Sequence, residues 1–593
     1  MDRRTVLAFV LIFVILLGSQ MLMEKFYGKK TVPQPAARTE EPAHEPPAPA
    51  LVQSERGAPP AGADPTAGIA ASADLATPAE ALRLVNEGEA RRIDVTTPLY
   101  KATVSTVGGR IVRWEGLEFA SWQGGNVQIV PEHTPEFGLD AILFANAEVD
   151  LGSAVYRCDR SALTVDEGAG SLVFFVSLAG GMEVRKTYTF HADGYGIDVD
   201  YALVAVDGGP TRRALELVGR PEDIRFGWNQ GISPTERNQK MEESALRTIA
   251  RVGDEYIAKK QMDLKKGEEK VQEQRRGSIR FAGIQNRYFT IVGIVPWEQG
   301  EPVEGTIRLD GNRELNEQSW SLDVPARRGV GGEIATARFG LYVGPQVAEL
   351  LSVYDHGLEK SMDLGWKLFR PLAELVLWGM EWMHRFIPNY GVIIILFSVL
   401  TKLAFYPLTR KSTESMKKMQ ELQPKLKALQ EKHKENKEKL NEATMKLYRE
   451  EKVNPMAGCL PLLVQSPVFI ALYQALNHTI SLRGQPFVLW IKDLSQPDAL
   501  TQLPFALPFL GSDLNVLPIL MAVAMYFQTK MTPTGAVGGQ MAMMNTMMPL
   551  FMVFIFYNMP SGLVLYWLIN TIMQGYQSWR IHTTAPSQGA QTA

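Results

Sequence analysis

Lys402 lies within Tyr390 to Leu408, a stretch that is otherwise apolar, and Ser398, Tyr406 and Thr409 recur with it at helical spacing. An ammonium, two hydroxyls and a phenol on one helix face can order water, hold an anion and ease the passage of a charge. By themselves they make and break no covalent bond. Two further apolar stretches carry sets of the same kind. In one, Ser466, Tyr473 and Asn477 share a face, with Gln465 and Gln474 beside it. In the last, Tyr566, Asn570, Met573, Gln574 and Gln577 recur at intervals of three and four. The chain holds no HExxH pair, no Walker loop and no nucleophile motif. Cys158 and Cys459 are its only cysteines, which excludes a disulfide framework and argues against a cysteine-built metal site. His133 and His191 stand alone and read as structural or surface residues. No cofactor is expected.

Polar groups inside apolar helices are costly unless they face one another or water. Lys402 lies eight residues before Arg410, about 12 Å along a helix. A lysine stem reaches roughly 6 Å toward an interface, so snorkelling competes with a buried role. Half-polar faces on several helices favour a shared hydrated interior. Interhelical hydrogen bonding that only holds the bundle together is the alternative.

The elements that must position these faces divide the chain. Its 593 residues are 46% hydrophobic with a formal charge of −3, which argues against general binding of DNA or other nucleic acid. Residues 1–27 contain Arg3 and Arg4 followed by an uncharged run from Thr5 to Met23, long enough to span a bilayer as a signal-anchor with a cytoplasmic N-terminus. Residues 28–90 are rich in Pro, Ala and Glu and read as a disordered tether. Residues 91–345 alternate apolar and polar positions between glycine-rich turns, the pattern of a large antiparallel all-β sandwich. Residues 346–389 turn helical, and Trp366–Phe386 is too charged to span. It reads as a helix lying in the membrane interface, with Pro371 a kink or restart and a core helix of the sandwich as the alternative.

Residues 390–580 hold five apolar stretches: Tyr390–Leu408, Gly458–Ile480, Leu514–Gln528, Met543–Met559 and Ser561–Trp579. With the anchor they make six spans. Segment 409–457 carries thirteen Lys and Arg, whereas 481–513 carries two, Arg483 and Lys492. That bias puts both termini and the basic segment in the cytoplasm and the sandwich outside, with 581–593 a cytoplasmic tail. Within the basic segment, Met416, Met419, Leu422, Leu426 and Leu429 make one thin seam. Leu440, Ala443 and Leu447 make another, so an antiparallel helical hairpin turning near His433–Asn436 is expected. Its basic exterior could meet lipid headgroups or ribosomal RNA, or simply be solvated.

Several motifs now fall into one order: "NYG" at 389–391, "YPLT" at 406–409, "LQPK" at 422–425, "EKVNPMAGCLPLLVQSPVFIALYQAL" at 451–476 and "PSGLVLYW" at 560–567. Together they resemble the YidC/Oxa/Alb family of membrane protein insertases, and the anchor, tether and outer sandwich resemble its Gram-negative YidC form. The resemblance implies a polytopic α-helical protein of the inner membrane. It implies five core helices around a hydrophilic groove open to cytoplasm and lipid, and a periplasmic domain resembling a galactose-mutarotase-like β-supersandwich. It implies insertion and folding of nascent membrane proteins, alone or with the Sec translocon, without nucleotide hydrolysis or catalysis. Gln465, Ser466 and Pro467 fall on the family's substrate-contacting stretch, and Tyr566 and Trp567 match its aromatic pair. Ribosomes and the signal-recognition machinery would meet hairpin 411–453, and membrane lipids would surround the core. The family usually has arginine where this chain has Lys402, which keeps the charge but loses the bidentate fork.

Two other functions compete. A secondary transporter would show paired broken spans in two repeated halves, and no convincing repeat is present. A membrane-anchored carbohydrate-active enzyme would need paired carboxylates in a pocket of the sandwich. The charge asymmetry of hairpin 411–453 yields a first prediction. Shortening its two helices equally is expected to reduce insertion while the helical core stays assembled, measured by membrane insertion of a panel of substrates. Unchanged insertion of every substrate would make the hairpin a spacer.

Overall fold

The computed structural model describes residues 77–584 except Glu87, 132–136, Asp207, 261–269, 298–299, 313–316, Asp355, 363–367, Glu435, 454–459, 508–509 and 532–538. The expected anchor, residues 28–76 of the expected 28–90 tether, His133, Trp366, Cys459 and the tail from 585 lie outside the described residues; the end of the tether is ordered, with a capped helix Pro78–Ala81 and Leu84–Val85 paired to Leu178 and Ser177.

The β-rich half is built on a smaller and a larger sheet. Strands β1 (Arg92–Thr96), β2 (Tyr100–Ser105) and β3 (Arg110–Ala120) form the middle of a five-stranded sheet. The larger sheet contains β4 (Ala169–Leu178), β5 (Met182–His191), β6 (Gly196–Ala205), β7 (Asp223–Trp228), β8 (Lys270–Gln285), β9 (Phe289–Ile294), β10 (Val303–Asn312), β11 (Glu317–Pro325) and β12 (Glu333–Pro345). They run in the order β4-β5-β6-β12-β9-β8-β10-β11-β7. Strand β5 shows why these residues pair: Met182, Val184, Lys186, Tyr188 and Phe190 are buried while the residues between them are not. The two sheets meet through aromatic rings. Phe119 of β3 stands edge-on to Phe289 of β9 at 5.3 Å, and Tyr100 of β2 lies 6.2 Å from Tyr195. The pairing is antiparallel apart from β1, which runs parallel to Ala162–Thr164. Two helices, Gly208–Val218 and Gln239–Ala245, interrupt what the alternation alone reads as all β. The second becomes important below.

Buried Lys186 is the polar centre of the sandwich. Its Nζ donates to Asp140 Oδ2 at 2.5 Å. Asp140 also accepts from the Tyr201 hydroxyl at 2.6 Å and from the Gly227 amide at 3.0 Å. Burial pushes the Lys186 ammonium below its ordinary pKa, and the Asp140 carboxylate opposes that shift. The pair thereby ties β5, β6 and β7 to the segment before Ala141.

The C-terminal half is helical. Helix α1 (Arg370–His384) starts with Pro371 in its first turn, where the missing N–H costs nothing, so the proline begins the helix and does not kink it. Ala373, Val376 and Met380 are buried, while Leu375, Trp378 and Trp382 are exposed, so both faces are apolar. Helix α2 (Tyr390–Glu421) does not stop at Leu408: Pro407 lies inside it and no breaker follows before Leu422. It is the one described helix long and apolar enough to cross a membrane, over Tyr390–Met419. Helices α3 (Gln423–Lys432) and α4 (Lys437–Glu450) form the hairpin, with Asn436 capping α4. Its core is thin: Met419, Leu422 and Val453, with Tyr448 against them, and Lys425 reaching Glu451 at 2.6 Å. Helices α5 (Leu460–His478), α6 (Leu517–Met531), α7 (Gly539–Phe556) and α8 (Ser561–Thr584) complete the bundle. Helix α8 packs against α2, α5 and α6.

Lys186→Met would leave the Asp140 carboxylate buried and unpaired. It is expected to cost roughly 3–5 kcal/mol, read from denaturant unfolding of the β domain within the purified protein. The double variant Lys186→Met, Asp140→Leu should recover most of that loss.

Candidate functional site

Helix α2 is turned inside out relative to a helix of a water-soluble core. Ser398, Lys402 and Thr409 are 0%, 7% and 5% exposed, whereas Leu400 and Leu403 are 55% and 61% exposed. The apolar side faces outward and the polar side faces the other helices, the arrangement required when the surroundings are hydrocarbon. Around Lys402 a recess is lined by Thr401, Phe405 and Thr409 of α2, Gln465 of α5, and Tyr566 and Asn570 of α8.

Several polar groups in this recess are matched, each in its own way. Lys402 Nζ donates to Gln574 Oε1 on α8. Among the described residues no carboxylate stands within ion-pair distance of Lys402. Two turns further along α2, Thr409 and Gln577 exchange hydrogen bonds across the same pair of helices at 3.2–3.3 Å. The Thr401 and Ser398 hydroxyls donate back to the carbonyls of Phe397 and Ile394 at 2.9 and 2.7 Å. These hydroxyls need no partner in the recess. The Tyr566 hydroxyl is buried among Thr401, Gln465 and Asn570.

The structure brings together Lys402, Gln465, Tyr566 and Asn570 and separates the other expected residues. Tyr406 is 37% exposed and Phe405 takes its place in the recess. The cause is helical drift. Each four-residue step overshoots a full turn by about 40°, so Tyr406 has rotated away from Ser398 while Phe405 has returned. Ser466 and Pro467 are half-buried just past Gln465 on α5. Trp567 packs against Phe469 at 4.8 Å and Phe556 at 5.2 Å, joining α8 to α5 and α7 beside the recess. Tyr473 and Asn477 lie toward the far end of α5, where the Asn477 amide points at the Tyr473 hydroxyl, 3.3 Å away. Thr401 and Phe405 were not singled out from sequence; the signal that could have found them is their i, i+4, i+8 spacing with Thr409.

The end of the bundle next to the β domain is closed by residues 479–516. The Phe487 ring fills the space that a side chain at position 391 would need, so the start of α2 accepts only glycine there. Asp498 accepts from the Val516 and Leu517 amides at 2.9 and 2.7 Å and so caps α6. Asn515 donates to the Tyr557 carbonyl at 2.6 Å, just past α7. Ser561 and Gly562, at the start of α8, give their amides to Gln496 and Leu494 at 2.8 and 3.0 Å. Arg483 crosses to the β domain: it pairs with Glu236 at 2.5 Å and donates to the Ala120 and Thr235 carbonyls. Gln496 donates to the other Glu236 oxygen at 2.6 Å. Burial raises the Glu236 pKa and Arg483 opposes the rise. Arg237 adds an ion pair to Asp513 at 2.8 Å.

Comparison with known proteins gives two family matches in sequence. Residues 92–378 match the YidC periplasmic domain, and residues 382–588 match the 60Kd inner membrane protein family. The membrane protein insertase YidC of Geobacter metallireducens is 33% identical over 97% of this chain and 97% of its own length. That of Chlorobaculum parvum is 31% identical over 99% and 96%. A crystal structure of an active YidC insertase with its first transmembrane domain resolved aligns over 84% of this chain and 94% of its own, at 18% identity and a TM-score of 0.35.

Gln574→Leu removes the acceptor held by Lys402. The expected loss is about 1.5–3 kcal/mol, the range for a hydrogen bond to a charged group, seen as a lower denaturant midpoint in detergent. Gln574→Glu restores an acceptor and should restore the midpoint.

Proposed function

The chain belongs to the YidC family of membrane protein insertases, and on that premise we propose that it inserts newly made membrane proteins through a hydrated groove whose cation is Lys402. The observation that carries this reading is the inversion of α2, with a nearly buried lysine and amide side chains inside and leucines outside. A dry, purely structural seam would have no use for an ammonium without a carboxylate partner.

The energetics support the same reading. A substrate helix gains roughly 0.3–0.6 kcal/mol for each strongly apolar residue it gives to lipid. Each charge in its translocated flank opposes entry by about 2.5–3.5 kcal/mol at the bilayer centre. A polar, positive recess lowers that barrier and draws in acidic flanks. The membrane potential then pulls an anion outward with about 2.3 kcal/mol per 100 mV. Partitioning alone can drive the step, so the protein works as an insertase and chaperone without nucleotide hydrolysis and not as an enzyme. The closure by residues 479–516 supports a groove shut on the side of the β domain.

In this proposal the chain sits in a Gram-negative inner membrane with six spans. Both termini are cytoplasmic and the β-supersandwich is periplasmic. The apolar, tryptophan-bearing outer face of α1 lies along the interface. Nascent chains are the substrates, delivered alone or through the Sec translocon. The exposed basic hairpin of α3 and α4 receives the ribosome and signal-recognition machinery.

Purified protein in liposomes, given a small single-span substrate, tests the reading: insertion without nucleotide is expected, and none would overturn it. The role of Lys402 is tested by charge. Lys402→Arg is expected to be nearly neutral, Lys402→Ala intermediate and Lys402→Glu worst, with the largest loss for substrates whose translocated segments are acidic. Equal insertion of an acidic-flanked substrate by the Arg and Glu variants would falsify the electrostatic role. Lys402→Cys, with Cys158 and Cys459 replaced, should react with a small polar thiol reagent from the cytoplasmic side.

A further inference from the structure

The hairpin of strands Arg247–Val252 and Glu255–Lys260 pairs with β8, and one irregularity marks where they meet. Arg251 pairs with Phe281 and Val252 with Ile279, so Arg280 is the extra residue of a β-bulge. A bulge re-aims the side chain it carries. Here it sets two arginines side by side. Arg251 Nη2 and Arg280 Nη2 stand 3.8 and 3.9 Å from the same oxygen, Asp254 Oδ1. Like charges on neighbouring strands repel. Burial and the Arg251 charge both lower the Arg280 pKa, and Asp254 opposes the shift.

Asp254 answers that repulsion poorly. Its side chain is 98% exposed at the hairpin turn, within ion-pair reach of both guanidinium groups and within hydrogen-bond distance of neither Nη2. An exposed pair of this kind contributes little. Among the described residues no other carboxylate stands within ion-pair distance of Arg251 or Arg280.

The two guanidinium groups are nonetheless held in place. Arg251 Nη1 donates to the His356 carbonyl at 2.9 Å. Arg280 lies over the Trp297 ring, 4.3 Å from its centre. Trp297 is fixed in turn by its indole N–H on the Ile279 carbonyl at 3.0 Å and by the His356 ring, 5.3 Å away. Arg280 Nε is buried with no hydrogen-bond partner among the described residues. Gly357 is left-handed, and a Cβ there would run into Arg251 Nη1 and lie 3.7 Å from Lys360 Cδ. The glycine thus leaves room for a third cation beside Arg251. Fixed arginines that converge on one point without a hydrogen bond there suit a tetrahedral oxyanion, whose separate oxygens can accept from both forks.

The surroundings say which oxyanion. The segment that carries His356, Gly357 and Lys360 leads directly to α1, where Arg370 Nη1 donates to the Lys360 carbonyl at 3.0 Å. Val353 and Leu368, which flank that segment in sequence, are 74% and 80% exposed. Exposed apolar side chains next to a group of cations match a bilayer surface, with headgroup phosphates beside acyl chains. A free phosphate would have no use for them.

We propose that Arg251, Arg280 and Lys360 form a binding site for the headgroup phosphate of an anionic phospholipid, in the leaflet nearest the β domain. The proposal rests on α1 lying along the membrane interface and not on the groove. It gives the β domain a lipid partner and asks nothing of that domain in insertion.

The test follows hydrogen exchange of the full chain in nanodiscs of phosphatidylcholine alone or mixed with phosphatidylglycerol. Phosphatidylglycerol is expected to slow exchange over residues 251–257 and 356–361 about tenfold, the protection given by a ligand at about ten times its Kd. Strands β5 and β6 should not change. The double variant Arg251→Gln, Arg280→Gln should abolish the protection. Asp254→Asn removes the competing carboxylate, leaves both forks and should strengthen it. If the double variant does not fold, Lys360→Glu should reduce the protection from the other side of the site. Equal exchange in the two lipid mixtures, or protection that survives the double variant, would overturn the proposal. Inorganic phosphate added to phosphatidylcholine nanodiscs is expected to protect far less. Protection equal to that by phosphatidylglycerol would make the ligand a free phosphate and overturn the lipid assignment. Short-chain phosphatidylglycerol in detergent reaches the site wherever α1 lies. Protection there that is lost in the double variant, with none in nanodiscs, would overturn the interfacial placement of α1 and leave the phosphate site standing.

Discussion

A polar group on an apolar helix is costly unless it meets a partner or water, and that constraint orders the helical half. In water an unpaired carbonyl or lysine is solvated at little cost, whereas in hydrocarbon each costs several kcal/mol. The apolar helices answer it in two places. Along their length, hydroxyls bond back to their own helix and Lys402 and Thr409 are matched by Gln574 and Gln577. At their ends next to the β domain, residues 479–516 and Arg287 take up several of the free carbonyls and amides.

The second answer joins the halves of the chain. A cap made by a helix's own neighbours, such as Asp498 for α6, would have served for α5 as well. Instead the cap comes from a turn 190 residues earlier, Arg287, and the neighbouring ion pair Arg483–Glu236 spans 247 residues. Buried pairs of this kind add little net stability, because desolvation offsets their attraction. What they supply is a defined relative position, since a misplaced guanidinium would lose all of its partners together. The sandwich is thus geometrically continuous with the bundle.

The recess gains from this arrangement. It keeps a cation and two amides, Gln465 and Asn570, facing a space bounded by α2, α5 and α8. On the proposed reading such a site lowers the barrier to a polar segment without binding it tightly, which suits a protein that must release what it inserts. A strong site, with a carboxylate paired to Lys402, would cancel the field and hold no attraction for acidic flanks.

The sequence by itself determined a good deal. Period-two alternation marked the sandwich because one face of each strand is buried. The apolar stretches, the thirteen-to-two charge bias and the hairpin seam at Met416, Met419, Leu422 and Leu426 are likewise local patterns, and so is the presence of Lys402 on a polar face. Tertiary structure decided which of the polar residues act together. It replaced Tyr406 with Phe405, turned Trp567 toward Phe469 and Phe556, and moved Asn477 out of the recess into the grip of Arg287. The reason is physical. Periodicity fixes the angle of a side chain about its own helix, but not which neighbour that helix turns toward. A contact such as Arg287 with Asn477 leaves no periodic trace, because its two residues are joined by the fold alone.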